Sequence, residues 1–419
     1  RAVTYYMDDA PFDTFQDETN GYMFGLSPFG VQREALLSNG GEGSYSMGGG
    51  GSGGISWFNI NWNTKWFSEV KLYEGYWIAE FKIPFNSIRY KEGSKVWNFN
   101  SYRGNSKINE NSVWTIIPLG YSVANLSMTG EIEFEYPLKK SSQNLVLIPY
   151  VSGSGIRNKV SLPKRDFNFD AGLDFKMALS SSLNLDLTFN PDFSQVEVDE
   201  QRTNLTRFEL FLPEKREFFT DNADLFSNLG SRESRPMFTR RIGIARDSTT
   251  SQYVQNPIIY GAKLSGKLSE DLRIGVLNMQ TSKLSRSGIP SYNYGMAVLE
   301  KNILKNSSIS SFIINKQSLF NDESKDYVHE LDEFNRVIGF ESKLQSNNTR
   351  FISQLYYHQS LEKDNKANSN SYGINASYEK RNYETNIYFY GVGENFNPEV
   401  GFVPRKDYLF LSPSFQYKF

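Results

Sequence analysis

The 419-residue chain contains no cysteine, which excludes disulfide scaffolds, thiolate zinc sites and cysteine nucleophiles. Its only histidines are His329 and His358, too few for a His-rich metal site and a poor basis for Ser-His-Asp chemistry. Neither sign of charge dominates: 45 Lys and Arg against 47 Asp and Glu leave a net charge of −2. Binding of polyanions by bulk charge is therefore not expected, and nucleic acid is not among the predicted partners. Long apolar runs are missing as well. The longest, Leu145 to Ile148 followed by Pro149, Tyr150 and Val151, falls far short of the roughly 18 residues of a membrane helix. That excludes helical spans but not a membrane β-barrel, whose alternating strands keep mean hydropathy low; here it is −0.51. Residue 1 is Arg and no leader peptide is visible, as expected of a mature or trimmed chain.

Aromatic residues are abundant, at 15 % with 25 Tyr and 32 Phe. Tryptophan is confined to one stretch, Trp57 to Trp114. This shift predicts a boundary, with the Pro- and Ser-containing segment 137–142 as a linker between residues 1–136 and 143–419. The first region carries short strand signals. Trp77, Ala79, Phe81 and Ile83 share one face of an alternating run ended by Pro84, and residues 96–102 and 113–117 read as further strands. The glycine run 48–54 reads as a flexible loop. The region is expected to be a β-sandwich, partial at its N-terminus.

The second region alternates more sharply. Phe169, Ala171, Leu173, Phe175, Met177 and Leu179 interleave with Asp170, Gly172, Asp174 and Lys176, and Leu183, Leu185, Leu187 and Phe189 interleave with Asn184, Asp186 and Thr188. Period two gives each strand one apolar and one polar face. Twelve strands are predicted, at 143–152, 168–179, 182–190, 257–268, 271–281, 291–301, 307–316, 335–345, 348–360, 371–380, 382–391 and 407–419. Their connections alternate long and short. Outer-membrane barrels sort their loops in this way, with short periplasmic turns and long external loops, whereas a soluble Greek key has no reason to. The last strand places Leu409, Leu411, Pro413, Phe415, Tyr417 and Phe419 on one face, like the closing strand of such barrels. The predicted fold class is all-β: a transmembrane antiparallel barrel of about 12 or more strands, preceded by a periplasmic β-sandwich.

Residues 190–256 are too long for an ordinary loop. Asp192, Glu197, Asp199, Glu200, Glu209, Glu214 and Glu217 mix there with Arg202, Arg207, Lys215 and Arg216, and phenylalanines are interleaved. A disordered tail would carry fewer aromatics. The expectation is an ordered plug or cap whose charges pair with polar residues of the barrel lumen.

Asn190-Pro191-Asp192-Phe193-Ser194-Gln195-Val196-Glu197, followed by Glu209-Leu210-Phe211-Leu212-Pro213-Glu214-Lys215-Arg216-Glu217-Phe218-Phe219, resembles the hallmark of one family. Its members are Bacteroidota outer-membrane proteins with a family-nine carbohydrate-binding-like sandwich and a large uncharacterised barrel. Ile83-Pro84-Phe85 and Trp97-Asn98-Phe99-Asn100 are similar to the sandwich part; Gly261-Ala262-Lys263-Leu264 and Asn397-Pro398-Glu399-Val400-Gly401-Phe402-Val403 are similar to the barrel part. The family's opening sandwich strands are expected to be missing here, and its barrel usually continues well past the Gly-Phe-Val segment.

The resemblance implies sugar binding. Trp57, Trp62 and Trp66 are the candidates for stacking a pyranose ring, since Trp62 and Trp66 have polar neighbours, whereas Trp77 and Trp97 read as core. Asp13 and Asp17 are a weak candidate for calcium, a solvated turn being the alternative, and no other cofactor is expected. Family members also carry a hydrolase label. A glycosidase needs two carboxylates across a cleft, one with a raised pKa. No spacing singles out such a pair, and arginines surround Glu197 to Glu200 and would keep them ionised. No catalytic residue is assigned. His329, in an acidic loop, and His358, after Tyr356-Tyr357, read as surface or girdle residues. Two functional readings stand: a barrel that binds, transports or joins an envelope assembly without chemistry of its own, or a membrane-associated carbohydrate-active hydrolase. The partners implied are outer-membrane lipid, a glycan and other envelope proteins.

Overall fold

The computed structural model describes residues 6–41, 58–139, 145–157, 165–191, 209–247, 253–319 and 334–417, apart from positions 61, 63, 86, 106–107, 119–120, 181, 210, 213, 215, 221–222, 305, 347, 349, 365–366 and 381, so that residues 140–142 of the predicted linker lie outside them. The predicted glycine loop 48–54, His329 and Phe419 lie outside these. The chain divides into one unit of residues 1–143, 379–383 and 417–419 and a second of residues 144–378 and 384–416.

The first unit is built from β1 (Tyr6–Asp13), β2 (Gly21–Leu26), β3 (Gln32–Leu37), β4 (Phe58–Asn59), β5 (Phe67–Leu72), β6 (Trp77–Lys82), β7 (Val96–Phe99), β8 (Tyr102–Asn105), β9 (Glu110–Val113) and β10 (Gly130–Glu133). One sheet runs β10-β7-β1-β2-β3-β4, with β8 joining β1 to β9, and β5 and β6 pair separately. Phe24, Leu26, Trp62, Trp66, Ile88, Tyr90 and Trp97 form the core, joined by Ala79, Phe81 and Ile83 of the predicted alternating face. The strand expected at 113–117 lies earlier and ends at Val113. There the Asn100 side chain takes over: its Oδ1 accepts from the Thr115 amide at 2.9 Å and its Nδ2 donates to the Thr115 carbonyl at 3.3 Å. These bonds satisfy the backbone that a continuing ladder would have paired.

The second unit contains β11 (Leu145–Arg157), β12 (Arg165–Ala178), β13 (Leu183–Phe189), the short helices α1 (Glu217–Thr220) and α2 (Asp224–Ser227), and the hairpin β14 (Ile244–Arg246) and β15 (Tyr253–Gln255). There follow β16 (Ile258–Lys267), β17 (Leu272–Thr281), β18 (Ser291–Ile303), β19 (Ser307–Leu319), β20 (Phe334–Gln345), β21 (Phe351–Glu362), β22 (Asn370–Glu379), β23 (Tyr383–Val392) and β24 (Tyr408–Tyr417). Apart from the β14–β15 hairpin, these strands form one 12-stranded sheet in chain order. Each of the twelve predicted strands has its counterpart. The connections keep the predicted parity: 158–164, 190–257, 282–290, 320–333, 363–369 and 393–407 are long, and 179–182, 268–271, 304–306, 346–350 and 380–382 are short. β11 and β24 stand at the two ends of the pairing order, and no ladder joins them among the described residues.

The outer face of this sheet is apolar and exposed, unlike that of a water-soluble protein, while its inner face buries charges. On β12 and β13 the apolar set points outward: Phe169 is 75 % exposed, and Leu173, Leu185 and Leu187 share its face. Ile313, Ile338, Phe340 and Phe415 continue this outer surface. The inner face carries Asp186, Lys263, Arg273, Glu341 and His358, all buried. Soluble monomers rarely expose so continuous an apolar surface, and they do not bury ions unless these are paired.

Candidate functional site: the inner face of the sheet

The long insertion lies against the inner face. Phe218, Phe219, Leu225, Phe226, Leu229, Met237 and Ile242 form one core with Leu277 and Met279 of β17, Met296 and Val298 of β18, Phe312 and Ile314 of β19, Val337 of β20 and Val392 of β23. Alternate residues of these strands supply the wall, as period two requires. Gly275 shows how closely the layers fit: a Cβ there would stand 2.8 Å from the Phe226 ring, so the strand leaves room for that side chain.

Three contacts made by charged side chains fasten the segment to the wall, and the Ser231 hydroxyl meets that of Tyr356 on β21 at 3.0 Å besides. Lys263 on β16 donates to the Phe218 carbonyl at 2.5 Å and pairs with Asp186 on β13 at 3.2 Å. Arg273 on β17 bridges Asp224 of α2 and Glu300 of β18, each at 2.7 Å. Glu341 on β20 accepts from the Gly230 amide at 2.6 Å, while Gln354 on β21 donates to the Gly230 carbonyl at 3.0 Å. His358 Nε2 lies 3.0 Å from the same Glu341 oxygen, and the imidazole is stacked against Tyr356 at 4.9 Å. Gly230 has φ +73°, and a Cβ there would fall 2.1 Å from the Ser234 carbonyl, so only glycine fits between latch and turn. Each buried charge on this face thus has a partner that offsets part of its desolvation cost.

His358 corrects the sequence reading. It is fully buried, not on the surface or in a girdle. The alternation that carries Tyr356 inward also carries residue 358 inward, a signal outweighed by its aromatic neighbours.

The predicted polar network divides differently. Asp192, Glu197, Asp199, Glu200, Arg202, Arg207 and Lys215 lie outside the described residues, as does the side chain of Glu217. Glu209, Glu214 and Arg216 have partners within the insertion. Glu209 binds Arg241. Arg216 chelates Glu214 at 2.7 and 2.8 Å and donates to the carbonyls of Thr239 and Ile242. Burial alone would push the Glu214 carboxyl up, but the hydrogen bonds and charge of Arg216, with the Thr239 hydroxyl, hold it below the usual carboxylate range. These pairs help to fold the segment, and its attachment to the wall uses Asp224, the Ser231 hydroxyl and the main-chain groups of Phe218 and Gly230.

In the first unit, Trp62 and Trp66 are buried and present no face to a ligand, contrary to expectation. Trp62 packs on Tyr22 and Phe24; Trp66 stacks on Phe81 at 5.4 Å and donates from Nε1 to Glu34 at 3.0 Å. Both indoles point into the core from irregular chain before β5, while Lys65 between them is exposed. Trp57 lies outside the described residues. The candidate calcium pair closes a loop: Asp13 accepts from the amides of Phe15 and Glu18 and from Asn98, and Asp17 accepts from those of Thr19 and Asn20. Burial, then the neighbouring Asp17, pushes the Asp13 carboxyl up to about 6. Among the described residues no group of three or more His, Cys, Asp or Glu side chains is placed to hold a metal ion, and no helix is long and apolar enough to cross a membrane.

Residues 141–419 match the family profile described as a domain of unknown function, DUF5916. No curated protein matches the chain. Among solved structures it is similar to Acinetobacter baumannii OccAB4, at 9 % identity and TM-score 0.31 over 92 % of this chain and 81 % of that one. A bacterial polysaccharide outer membrane secretin follows at 8 % and 0.26, over 92 % and 89 %, and the P. putida toluene transporter TodX at 8 % and 0.23, over 92 % and 82 %.

Proposed function

We propose that this chain, which belongs to the DUF5916 family, is an outer-membrane β-barrel protein that binds or passes a solute, or serves in an envelope assembly, without chemistry of its own. The observation that carries this reading is the exposed apolar outer face of the 12-stranded sheet, backed by an inner face where buried ions are paired around the core shared with the insertion. Hydrocarbon around the sheet stabilises the outer set, and a polar or protein-filled interior accommodates the inner one. Loop parity supports an orientation in which the short turns, the start of β11 and the end of β24 face the periplasm, together with the first unit. The 209–247 segment then acts as a plug, because its aromatic core fills the inner face and three polar latches fix it there. Hydrolysis is the weaker reading, since Glu214, Glu300 and Glu341 are each engaged by a cation or an amide.

Extraction tests the barrel. The protein should leave membranes only in detergent and should run as a compact band on SDS gels until heated; release by salt or alkali alone would sink the reading. Removing 195–250 tests the plug. Liposomes holding the deleted protein, verified by its heat-sensitive band, should leak small solutes that the intact protein retains, and equal retention would argue against occlusion.

A further inference from the structure

One region of the inner face differs from the ion-paired positions described above. On β23 and β24 the alternate residues Tyr388, Tyr390, Tyr408 and Phe410 form an aromatic ladder. Ring centroids lie 5.1 Å apart for Tyr388–Tyr390, 5.6 Å for Tyr390–Tyr408 and 5.0 Å for Tyr390–Phe410. Tyr390 is buried in the core shared with the insertion, but Tyr388 and Tyr408 are only half-buried and Phe410 is 41 % exposed, so the insertion covers the ladder only in part. Against it stands the 231–235 turn of the insertion. Arg232 and Glu233 lie near enough to Tyr388 and Tyr390 to act on them electrostatically, and the Arg405 guanidinium sits 4.6 Å over the Tyr408 ring. Arg235 is flattened on Phe211 at 4.3 Å.

Three guanidiniums and one carboxylate meet here, and among the described residues none of the four makes an ion pair. Lys263, Arg273 and Lys316 on the same face each have a carboxylate. Burial, with Arg232 beside it, pushes Arg235 down to about 10, the mark of a cation short of a counter-ion. Arg232 and Arg405 are exposed and Arg235 is partly buried, so an anion reaching this part of the inner face meets three guanidiniums against one carboxylate. The ladder says what else the ligand carries. Aromatic faces stack on the apolar faces of sugar rings, and tyrosine hydroxyls and arginine forks bind hydroxyls and carboxylates. A purely apolar solute has no use for the guanidiniums, and a bare inorganic anion has none for the ladder.

We infer that the inner face of β23 and β24, with the 232–235 turn, binds an acidic saccharide, a sugar whose ring bears a carboxylate. This rests on the barrel reading and names the solute class for it.

The test is calorimetry on the full-length protein in detergent, with trigalacturonate, maltotriose and inorganic phosphate as probes. Trigalacturonate should bind, and maltotriose and phosphate at least about tenfold more weakly. Arg232→Gln with Arg405→Gln should weaken trigalacturonate by about tenfold or more, since charge-assisted pairs are lost. Phe410→Leu should weaken it several-fold. Should the double variant lose its heat-sensitive band, Arg405→Lys decides, because it keeps the charge and removes the planar fork; it too should weaken binding. No binding of trigalacturonate, maltotriose or phosphate binding as tightly, or variants that bind like the parent would each overturn the site. A protein that needs no detergent and shows no heat-sensitive band would instead overturn the barrel, whatever the calorimetry reads.

Discussion

Ile78 in the first unit and Ile338 in the second are almost equally exposed, at 45 % and 43 %. Around Ile78 the chain behaves as soluble proteins do: tryptophans turn inward, and Glu80 and Lys82 share the open surface of β6. Around Ile338 the exposed neighbours on the same face include Ile313, Phe340 and Tyr357, while Glu341 and His358 turn inward. Equal exposure thus means different things in the two units. One surface is dressed for water and the other for hydrocarbon, and the solvent each expects is legible in what surrounds a single isoleucine.

That contrast can be broken at several points, and tryptophan gives a means of watching each unit separately. All six tryptophans precede residue 115, so their fluorescence reports the first unit, and the heat-sensitive gel band reports the sheet. The largest effects should come from emptying each core. Trp97→Ala should lower the stability of the tryptophan-reported transition by roughly 3–5 kcal/mol and leave the gel band in place. Arg273→Ala, which strands Asp224 and Glu300, should cost the sheet roughly 3–5 kcal/mol with fluorescence unmoved. Mutual effects of that size would dissolve the distinction between the units. Next come the paired isoleucines. Ile338→Arg should destabilise the protein in liposomes by roughly 2–4 kcal/mol if it sits near mid-bilayer, whereas Ile78→Arg should stay within about 0.5 kcal/mol. Similar costs for the two would mean that both surfaces meet water.

A smaller effect is pH-dependent. Folded Asp13 keeps its proton to about pH 6, against an ordinary value of 3.8. Between those values the folded state binds more protons than the unfolded one, so the first unit loses stability as pH rises through the window and stays lower above it. The fluorescence melting temperature should fall from pH 4 to pH 7, and Asp13→Asn should flatten the trend; a melting temperature rising over that range would refute it. Smallest of all, Lys301→Ala removes an exposed partner of Asp271, and neither probe should register a change.

Strands were the legible part of the second unit because period two is written into every one of them: Leu185 and Leu187 declare the outer face, Asp186 and Thr188 the inner. The insertion's existence and aromatic content were legible too, but its mode of attachment was not. Gly230 is held through its amide and carbonyl by Glu341 and Gln354, more than a hundred positions along the chain, and main-chain groups leave no mark in a residue pattern. Trp62 and Trp66 misled for a related reason. They sit in irregular chain, where no periodicity says which side is in, and their polar neighbours suggested an exposure that burial behind Tyr22, Phe24 and Phe81 denies. His358 was readable by its parity with Tyr356.

β13 hydrogen-bonds β16 across everything from residue 190 to 257, and the aromatic centre of that excursion is what the later strands close upon. Strands β17 to β20 and β23 thus share one core with α1 and α2, and contacts that join residues so far apart along the chain are of the kind that slows folding.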